Sequence, residues 1–469
     1  MPTISFSGIA SGIDGDAVIE ALTDAKRVQQ VPLENKIAFN DAETTALEDF
    51  NSKLLTLKTA LNSFLTLSGG AISKAATSTD DDVVDVSASA TAPTSSTTIA
   101  SVTQLARAAV FSFNDRFSAA DEPIAPGLTG PTNIDITLGQ GTKAETFSIE
   151  VDETTTLGEI ANKINEAAPG KLIASVVNLG SEEEPEYTLL INGQKSGLDE
   201  GHLTVSVPPE LANEGVLQGH TQEQAQNAIF TIAGLGQIER QSNTVNGLIP
   251  GLTITLKAVS TLPVVLNVTN DADKTAGRVE EFVSAFNEAI MLSRDSSKIE
   301  QETGESGTTV NVYGDLSKTS TDENAIGAIK TALASAASGI EGSPVQIFAD
   351  MGFKTLNDGT IEFNIEKFTE AVSKDPNAVE KLLHQFADKT AATTGVISDY
   401  TKFNGLIDLS IRSNDQEIVS LNERIERINR SIAAQEERLK KVFANLESTI
   451  GDLQNQASAL SGILAGLGT

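Results

Sequence analysis

Residues 418 to 469 read IVSLNERIERINRSIAAQEERLKKVFANLESTIGDLQNQASALSGILAGLGT. Aliphatic side chains recur along this stretch at alternating spacings of three and four residues. A seven-residue apolar repeat of this length favours a supercoiled partner helix, because a straight helix drifts about 20° per heptad away from it. The aliphatic positions, called the heptad seam below, are Ile418, Leu421, Ile425, Ile428, Ile432, Leu439, Val442, Leu446, Leu453, Leu460, Ile463 and Leu467. We expect the seam to carry coiled-coil and oligomer contacts along a helix of roughly 75 Å.

Composition narrows the class of protein. The chain has 469 residues, of which 39% are hydrophobic and 4% aromatic, and it contains no cysteine. This length indicates about three domains. A chain without cysteine is expected in the cytosol, or outside the cell after export by a route that bypasses the periplasmic oxidation machinery. Residues 1–9 lack the basic region of a cleavable secretory signal, and no apolar run approaches the ~20 residues of a membrane span.

Charge is plentiful in the chain but scarce at both ends. The formal net charge is −31, so nucleic acids and anionic membranes are not expected as partners. The first charged residue is Asp14, and Asp452 is the only one between Ser448 and Thr469. We therefore expect both ends to be buried in the working state, with the seam pairing with the chain's own N-terminal helix and, beyond Leu446, with other subunits.

Three zones follow one another along the chain. Residues 1–78 are predicted to be helical, with Asp14 as a helix cap. Residues 79–272 carry alternating apolar runs typical of strands, and a capping box at Thr156–Glu159 begins the one helix predicted among them. Asn192–Gly193 is predicted to be a turn that follows a strand. The predicted strands are Thr98–Val102, Ile134–Leu138, Thr146–Val151, Ile173–Val177, Tyr187–Ile191, Leu203–Val207, Ala228–Ile232, Thr253–Val259 and Val264–Val268.

The third zone, from about residue 272, is again helical and includes a predicted helix over residues 325–338. Asn357–Gly359 is predicted to be the turn of a hairpin, with Ile361, Phe363 and Ile365 on one strand face. Asp375 is predicted to cap the helix that follows it, with Pro376 at the first helical position.

This order predicts an α+β multidomain fold, in which helical coiled-coil N- and C-terminal zones pack together and two β-rich head domains are inserted between them. The predicted domains are a terminal coiled-coil leg domain (1–42 plus 418–469), a helical stalk domain with a small hairpin (43–78 plus 272–417), a β-rich head domain (79–107 plus 226–271) and a second β-rich head domain inserted in it (108–225).

The sequence offers no pattern typical of an enzyme. The three histidines, His202, His220 and His384, are scattered, and none has a partner at zinc-ligand spacing. The acidic run at residues 80–85 lacks the spaced ligands and central glycine of a calcium loop. Residues 234–236 lack the third glycine of a dinucleotide fingerprint. We therefore expect no catalytic site, no metal and no cofactor.

Several segments, taken in their order and spacing, resemble the family of flagellar filament-cap proteins, also called flagellar hook-associated protein 2. Each motif alone is weak, but together they extend over nearly the whole chain; residues 108–225 match least. The segments are the Gly-x-x-Ser-Gly-x-Asp opening in Phe6–Asp14, Pro32–Leu33, Ser101–Ala106, Leu157–Asn165, Asn246–Leu256, Met351–Phe353 with Asp358–Ile361, and the closing coiled coil.

This resemblance implies a function without covalent catalysis. Proteins of the family are exported unfolded through the flagellar type III channel and act outside the cell, at the filament tip. They form a homo-oligomeric ring, here expected to contain about four to six subunits. The ring holds exported flagellin and promotes its folding and insertion. The implied partners are copies of the chain, flagellin, hook-filament junction proteins and a type III export chaperone.

Two other functions remain open from the sequence. An adhesin would bind surface glycans or mucin through the β-rich zone. Another axial flagellar protein, either a junction protein or flagellin, would share the helical ends. The order of the family motifs argues against adhesion as the only role. The hairpin at Asp358–Gly359 and the strand that contains Gly251 favour the cap over another axial protein. A hydrolase inserted in the β-rich zone is the least favoured, since no catalytic pattern was found.

Overall fold

The computed structural model describes residues 12, 14–65, 70–213, 216–217, 219–303, 309–336 and 342–467. The predicted motif at Phe6–Asp14 lies outside these residues, apart from Gly12 and Asp14. Contacts divide the chain into two compact units: unit 1 comprises Met1–Ser68 and Ala276–Thr469, and unit 2 comprises Gly69–Thr275. The predicted α+β fold class, with helical ends and a β-rich middle, is confirmed. The four domain boundaries stay a prediction.

The helices of the described residues are α1 Gly15–Arg27, α2 Val31–Asn62, α3 Leu157–Ala167, α4 Leu198–Gly201, α5 Pro209–Asn213, α6 Ala272–Ser296, α7 Thr321–Ser335, α8 Ile365–Lys374, α9 Pro376–Ala391, α10 Val396–Thr401 and α11 Leu406–Leu467. The strands are β1 Lys74–Ser78, β2 Val84–Ala88, β3 Ser95–Gln104, β4 Ala108–Phe113, β5 Thr132–Leu138, β6 Glu145–Val151, β7 Leu172–Asn178, β8 Tyr187–Ser196, β9 Leu203–Ser206, β10 His220–Glu223, β11 Ala228–Ile232, β12 Gly236–Arg240, β13 Thr244–Asn246, β14 Leu252–Leu256, β15 Val264–Asn270, β16 Ile299–Thr303, β17 Thr309–Tyr313, β18 Phe353–Thr355 and β19 Ile361–Phe363. Among these helices, none is long and apolar enough to cross a membrane.

Unit 2 contains two hydrophobic clusters. The first lies between a five-stranded sheet, in the order β1-β15-β3-β11-β12, and a three-stranded sheet, β13-β14-β2. Phe230 and Ile254 are fully buried in it. Alternation of apolar and polar residues, as in β14 and β15, places one face of each strand in this core.

The second cluster is formed by the chain between those strands. A four-stranded sheet, β10-β4-β8-β7, and a three-stranded sheet, β6-β5-β9, pack with α3 around Phe111 and Ile160. The predicted capping box at the start of α3 is confirmed, because Thr156 Oγ1 accepts from the Glu159 amide and Glu159 Oε2 accepts from the Thr156 amide.

All nine predicted strands are present, with small shifts of their ends. The predicted turn at Asn192–Gly193 is wrong, because both residues lie inside β8. Asn192 pairs with β4 on one side and β7 on the other, and Gly193 pairs with Leu172 of β7. A Cβ atom at Gly193 would lie 3.4 Å from the Ala109 carbonyl oxygen, an ordinary contact distance, so this strand position does not require glycine.

Unit 1 is built mainly of helices around an aromatic core. Phe282 lies at its centre, with ring centroids 6.5 Å from Phe64 and 5.5 Å from Phe386. The predicted cap at Asp375 is confirmed, since its Oδ1 accepts from the Ala378 amide at 3.0 Å. The helix α11 begins beside this core, in contact with α2, α7 and α10.

Two expectations for unit 1 differ from the structure. Ile365 is not on a strand face: it begins α8, capped by Asn364, and its side chain is 41% exposed. The helix predicted over residues 325–338 is α7, which begins four residues earlier at Thr321. Ser338 lies outside the described residues.

Candidate assembly interface

The first helices of the chain pack antiparallel along its last helix. At the start of α1, Gly15 lies against the Phe443 ring, so closely that a Cβ atom on Gly15 would be 3.2 Å from Cδ1. Near the end of α1, Lys26 Nζ donates to Ser431 Oγ at 3.3 Å. Residue numbers therefore fall along α11 as they rise along α1.

Polar side chains continue this pairing where α1 meets α2. Gln30 Nε2 donates to Asn429 Oδ1 at 2.6 Å, in a partly buried position. Further along, Asn40 Nδ2 donates to Glu417 Oε2 at 3.3 Å, and Lys36 forms an ion pair with the same carboxylate. These directional bonds fix the register of the antiparallel pair, which an apolar seam alone specifies less strictly.

A buried acidic group lies where α2, α7 and α11 meet. Glu43 is only 8% exposed, and burial raises the pKa of its carboxyl group. The Asn414 side chain and the positive charge of Lys318 act in the opposite direction on this pKa, whereas Glu417 and Asp322 raise it further. The junction of the three helices thus holds a carboxyl group whose neutral form is favoured.

The heptad seam is covered along its first part. Leu421 and Ile432 are buried, at 3% and 4% exposure. Ile418, Ile425, Ile428 and Leu439 are half-buried. This is the part of α11 that runs beside α1 and the first half of α2.

The same seam lies open along its second part. Val442 is 52% exposed, Leu446 39%, Leu453 57% and Leu460 61%. The helix continues to Leu467, but the side chains of Ile463 and Leu467 lie outside the described ones. Burying a side chain of this size stabilises by about 1.5–3 kcal/mol, so this stretch has the composition of an unfilled interface.

Elsewhere, the strongest electrostatic shifts belong to surface carboxylates of unit 2. Hydrogen bonds from Lys195 and Lys143 lower the pKa of Glu200 to about 2. Hydrogen bonds from Thr155 and Thr154 lower the pKa of Asp152 to about 2. Both arrangements stabilise local structure. Within the described ranges, no group of three or more His, Cys, Asp or Glu residues could hold a metal ion.

The sequence predicts that the cover by the chain's own N-terminal helix ends at Leu446, whereas in the structure exposure begins one seam position earlier, at Val442. The cover ends beside Gly15 at the start of α1. The role of the seam residues in assembly stays a prediction. The polar bonds of Gln30 and Asn40 were also missed, because an amide beside an apolar seam is equally typical of an exposed helix surface.

Comparison with known families gives matches at both ends of the chain. The family model for the N-terminus of flagellar hook-associated protein 2 matches residues 11–109, and the model for its C-terminus matches residues 225–455. Together they match well over half of the chain. The interval between them falls within the segment in which the family motifs are weakest.

Relatives of the same name match nearly the whole chain. Flagellar hook-associated protein 2 of Escherichia coli K12 is 26% identical over 492 residues, covering 98% of each chain. The protein of that name from Xenorhabdus nematophila is 25% identical, covering 99% of this chain and 100% of its own.

A solved structure shares the fold. The crystal structure of the D1-D2-D3 domains of the flagellar cap protein FliD from E. coli has a TM-score of 0.62 and is 24% identical, covering 79% of this chain and 99% of that chain. The resemblance seen in the motifs is thus confirmed, and the chain belongs to the flagellar hook-associated protein 2 family.

Proposed function

We propose that copies of this chain assemble into a ring of about four to six subunits that holds exported flagellin and promotes its folding and insertion. The coarser role follows from the family: the chain is an extracellular component of the bacterial flagellum and has a structural function in capping the filament. The ring size and the action on flagellin are the proposal.

The open part of the heptad seam is the observation that carries this proposal. From Val442 to Leu460 the aliphatic seam residues are 39–61% exposed. Asp452 is the only charge between Ser448 and Leu467. A helix of this kind is stable and soluble when another helix covers it. Neighbouring subunits and the helical end of the filament would supply that cover.

The proposed action involves no covalent step. Exported flagellin needs a confined space in which to fold and a vacant site at the filament end. A rigid ring on helical legs would supply both by its geometry. The shifted carboxylates of unit 2 lie on the surface, where their hydrogen bonds to lysines and threonines stabilise local structure. Hook-filament junction proteins and a type III export chaperone are proposed as further partners during assembly and export.

The competing functions are weaker. The comparisons give no support to an adhesin. The matched family models are those of hook-associated protein 2, so the flagellin and junction-protein alternatives lose their basis in the shared helical ends.

The open seam can be tested in cells that lack the gene for this protein. We expect Leu446→Ser, Leu453→Ser and Leu460→Ser, combined in one chain, to leave the cells non-motile with unpolymerised flagellin in the medium. The matched control combines Asn445→Ser, Asn455→Ser and Ser458→Asn, which change the same stretch of helix off the seam and should restore motility. The proposal would be contradicted if cells that secrete normal amounts of the seam variant still built full-length filaments.

A further inference from the structure

An aromatic side chain lies in the open at the start of α11. Phe403 is 82% exposed, and the Arg412 guanidinium lies 5.2 Å from its ring centroid. Aromatic and arginine side chains are enriched among the few residues that dominate the binding energy of protein interfaces. Phe403 and Arg412 together therefore mark a candidate docking surface.

The turn that carries Phe403 is held in one conformation. Asn404 has a φ of 58°, in the left-handed region; its amide donates to Asp408 Oδ2 at 2.8 Å, and its Oδ1 accepts from Arg412 Nη1 at 2.6 Å. A Cβ atom on Gly405 would lie 2.7 Å from the carbonyl oxygens of Tyr400 and Lys402, so only glycine fits. Because the ring is already positioned, little conformational entropy would be lost when a partner binds.

An uncharged groove adjoins this turn. Leu406 and Leu409, which are 47% and 51% exposed, form its apolar wall. Its volume is about 580 Å³, and its remaining lining is Thr321, Asn324, Tyr400, Ser410 and Ser413. No formal charge lines the groove, although the chain as a whole carries −31. Phe403 and this groove together are called the Phe403 groove.

A second uncharged surface of unit 1 lies on the β16–β17 hairpin. Every residue of both strands is exposed, although a two-stranded ribbon is only marginally stable alone. In the observed register one face carries Ile299 opposite Tyr313 and Gln301 opposite Asn311, whose amides bond across the strands at 3.4 Å. Both glutamates, Glu300 and Glu302, lie on the other face. The first face has no charged strand residue, although Lys318 lies beside Tyr313 at its base, and is called the uncharged hairpin face.

The base of the hairpin is anchored to the rest of unit 1. Lys318 Nζ lies 5.4 Å from the Tyr313 ring centroid and 3.8 Å from that of Phe39 on α2. The strands therefore project from a fixed base, and the uncharged hairpin face is available to a partner at a defined place.

These two surfaces indicate that a second copy of the chain is the binding partner. Subunits of charge −31 repel one another, so contacts between copies are best made where neither copy presents a carboxylate. A ring needs two different surfaces on each subunit, because each copy binds the next head to tail. We propose that the uncharged hairpin face of one copy binds in the Phe403 groove of the next. This contact rests on the ring proposed above.

Cysteine cross-linking can test the contact directly, because the natural chain has no cysteine. We expect the purified double variant Asn311→Cys with Ser413→Cys to give a covalent ladder of dimers and larger species on mild oxidation. The control, Val312→Cys with Ser413→Cys, places its thiol on the opposite face of the same strand and should remain mostly monomeric. Native mass spectrometry of both variants before oxidation shows whether rings are present.

The outcomes separate the two proposals. Rings in which the two cysteine pairs cross-link equally, or not at all, overturn the docking contact while the ring stands. A protein that stays monomeric at every concentration overturns the ring and the contact together. A selective ladder supports both.

Phe403→Ala gives an independent measurement. The phenyl ring of Phe403 is mostly in solvent, so its removal should not change the circular dichroism of the subunit. The dissociation constant of the oligomer should rise at least about tenfold. Leu235→Ala is the control, because Leu235 is 77% exposed in unit 2 and should leave assembly unchanged. Equal effects of the two variants, or none of Phe403→Ala, would count against the contact.

Discussion

At the scale of single residues, Glu43 shows how the junction of helices responds to protons. Burial raises the pKa of its carboxyl group above the ordinary value of 4.5. The folded state therefore binds this proton more tightly than the unfolded state does. The stabilisation is present in full at low pH and is lost as pH rises from about 4.5 through the raised pKa of the folded state. The groups that face Glu43 are Asn414, Lys318, Glu417 and Asp322.

Glu43→Gln should accordingly stabilise unit 1 at neutral pH. The neutral amide keeps a polar partner for Asn414 without the cost of a buried charge, and we expect a gain of the order of 1 kcal/mol at pH 7.5. At pH 4 the gain should largely disappear. Thermal unfolding at both values measures this. Glu48→Gln, at an exposed position of the same helix, is the control; an equal effect of both variants, or a gain that does not depend on pH, would contradict the argument.

At the scale of elements, α11 is one continuous helix of 62 residues whose two parts differ in burial. Its first part is packed by α1 and α2, and its second part is open, although the spacing of the heptad seam is the same in both. The difference arises from the partner and not from α11 itself, since it occurs where α1 begins at Gly15.

Alanine substitutions should separate the two parts. Leu421→Ala removes a side chain that is 3% exposed and should lower the free energy of unfolding by about 2–5 kcal/mol. Leu453→Ala removes one that is 57% exposed and should change it by less than about 0.5 kcal/mol in the dilute subunit. Urea denaturation below the concentration of assembly measures both. Similar losses for the two variants would mean that the open seam is already covered in the free subunit.

Elements with a strong periodic pattern were predictable from sequence. The nine strands, the Thr156 capping box and the Asp375 cap depend on local chemistry, and all were found. The prediction of a turn at Asn192–Gly193 was wrong because the same two residues also fit inside a strand. Pairing with the neighbouring strands, which the local sequence does not show, decides between the two conformations. The β16–β17 hairpin was missed because its apolar residues are few and its strands bury nothing in their own unit.

The candidate interfaces were predictable only where they depend on a repeating sequence pattern. Heptad spacing led to the prediction of the seam, because its period is a property of the sequence. The Phe403 groove was not identified, since it depends on a left-handed residue at Asn404 and on the close approach of α7 and α11.

At the scale of the whole molecule, the charge of −31 opposes self-association. Between ~20 mM and ~300 mM sodium chloride the range of this repulsion shortens from about 20 Å to about 6 Å. We expect the concentration needed for half-assembly to fall several-fold over that range, as measured by light scattering. Glycine at matched osmolality, which does not screen charge, should leave assembly unchanged. Weaker assembly in salt would instead indicate that attraction between opposite charges holds the subunits together.

The antiparallel pairing of the first and last helices also sets the order of folding. Gln30 and Asn429, which bond to each other, are 399 residues apart in the chain, whereas unit 2 is one uninterrupted segment. A chain delivered through a narrow pore can form unit 2 as soon as that segment has emerged. Unit 1 can close only after both ends are out, whichever end leads. In a chain delivered in this way, α1 and α11 would pair only after delivery of the subunit is complete.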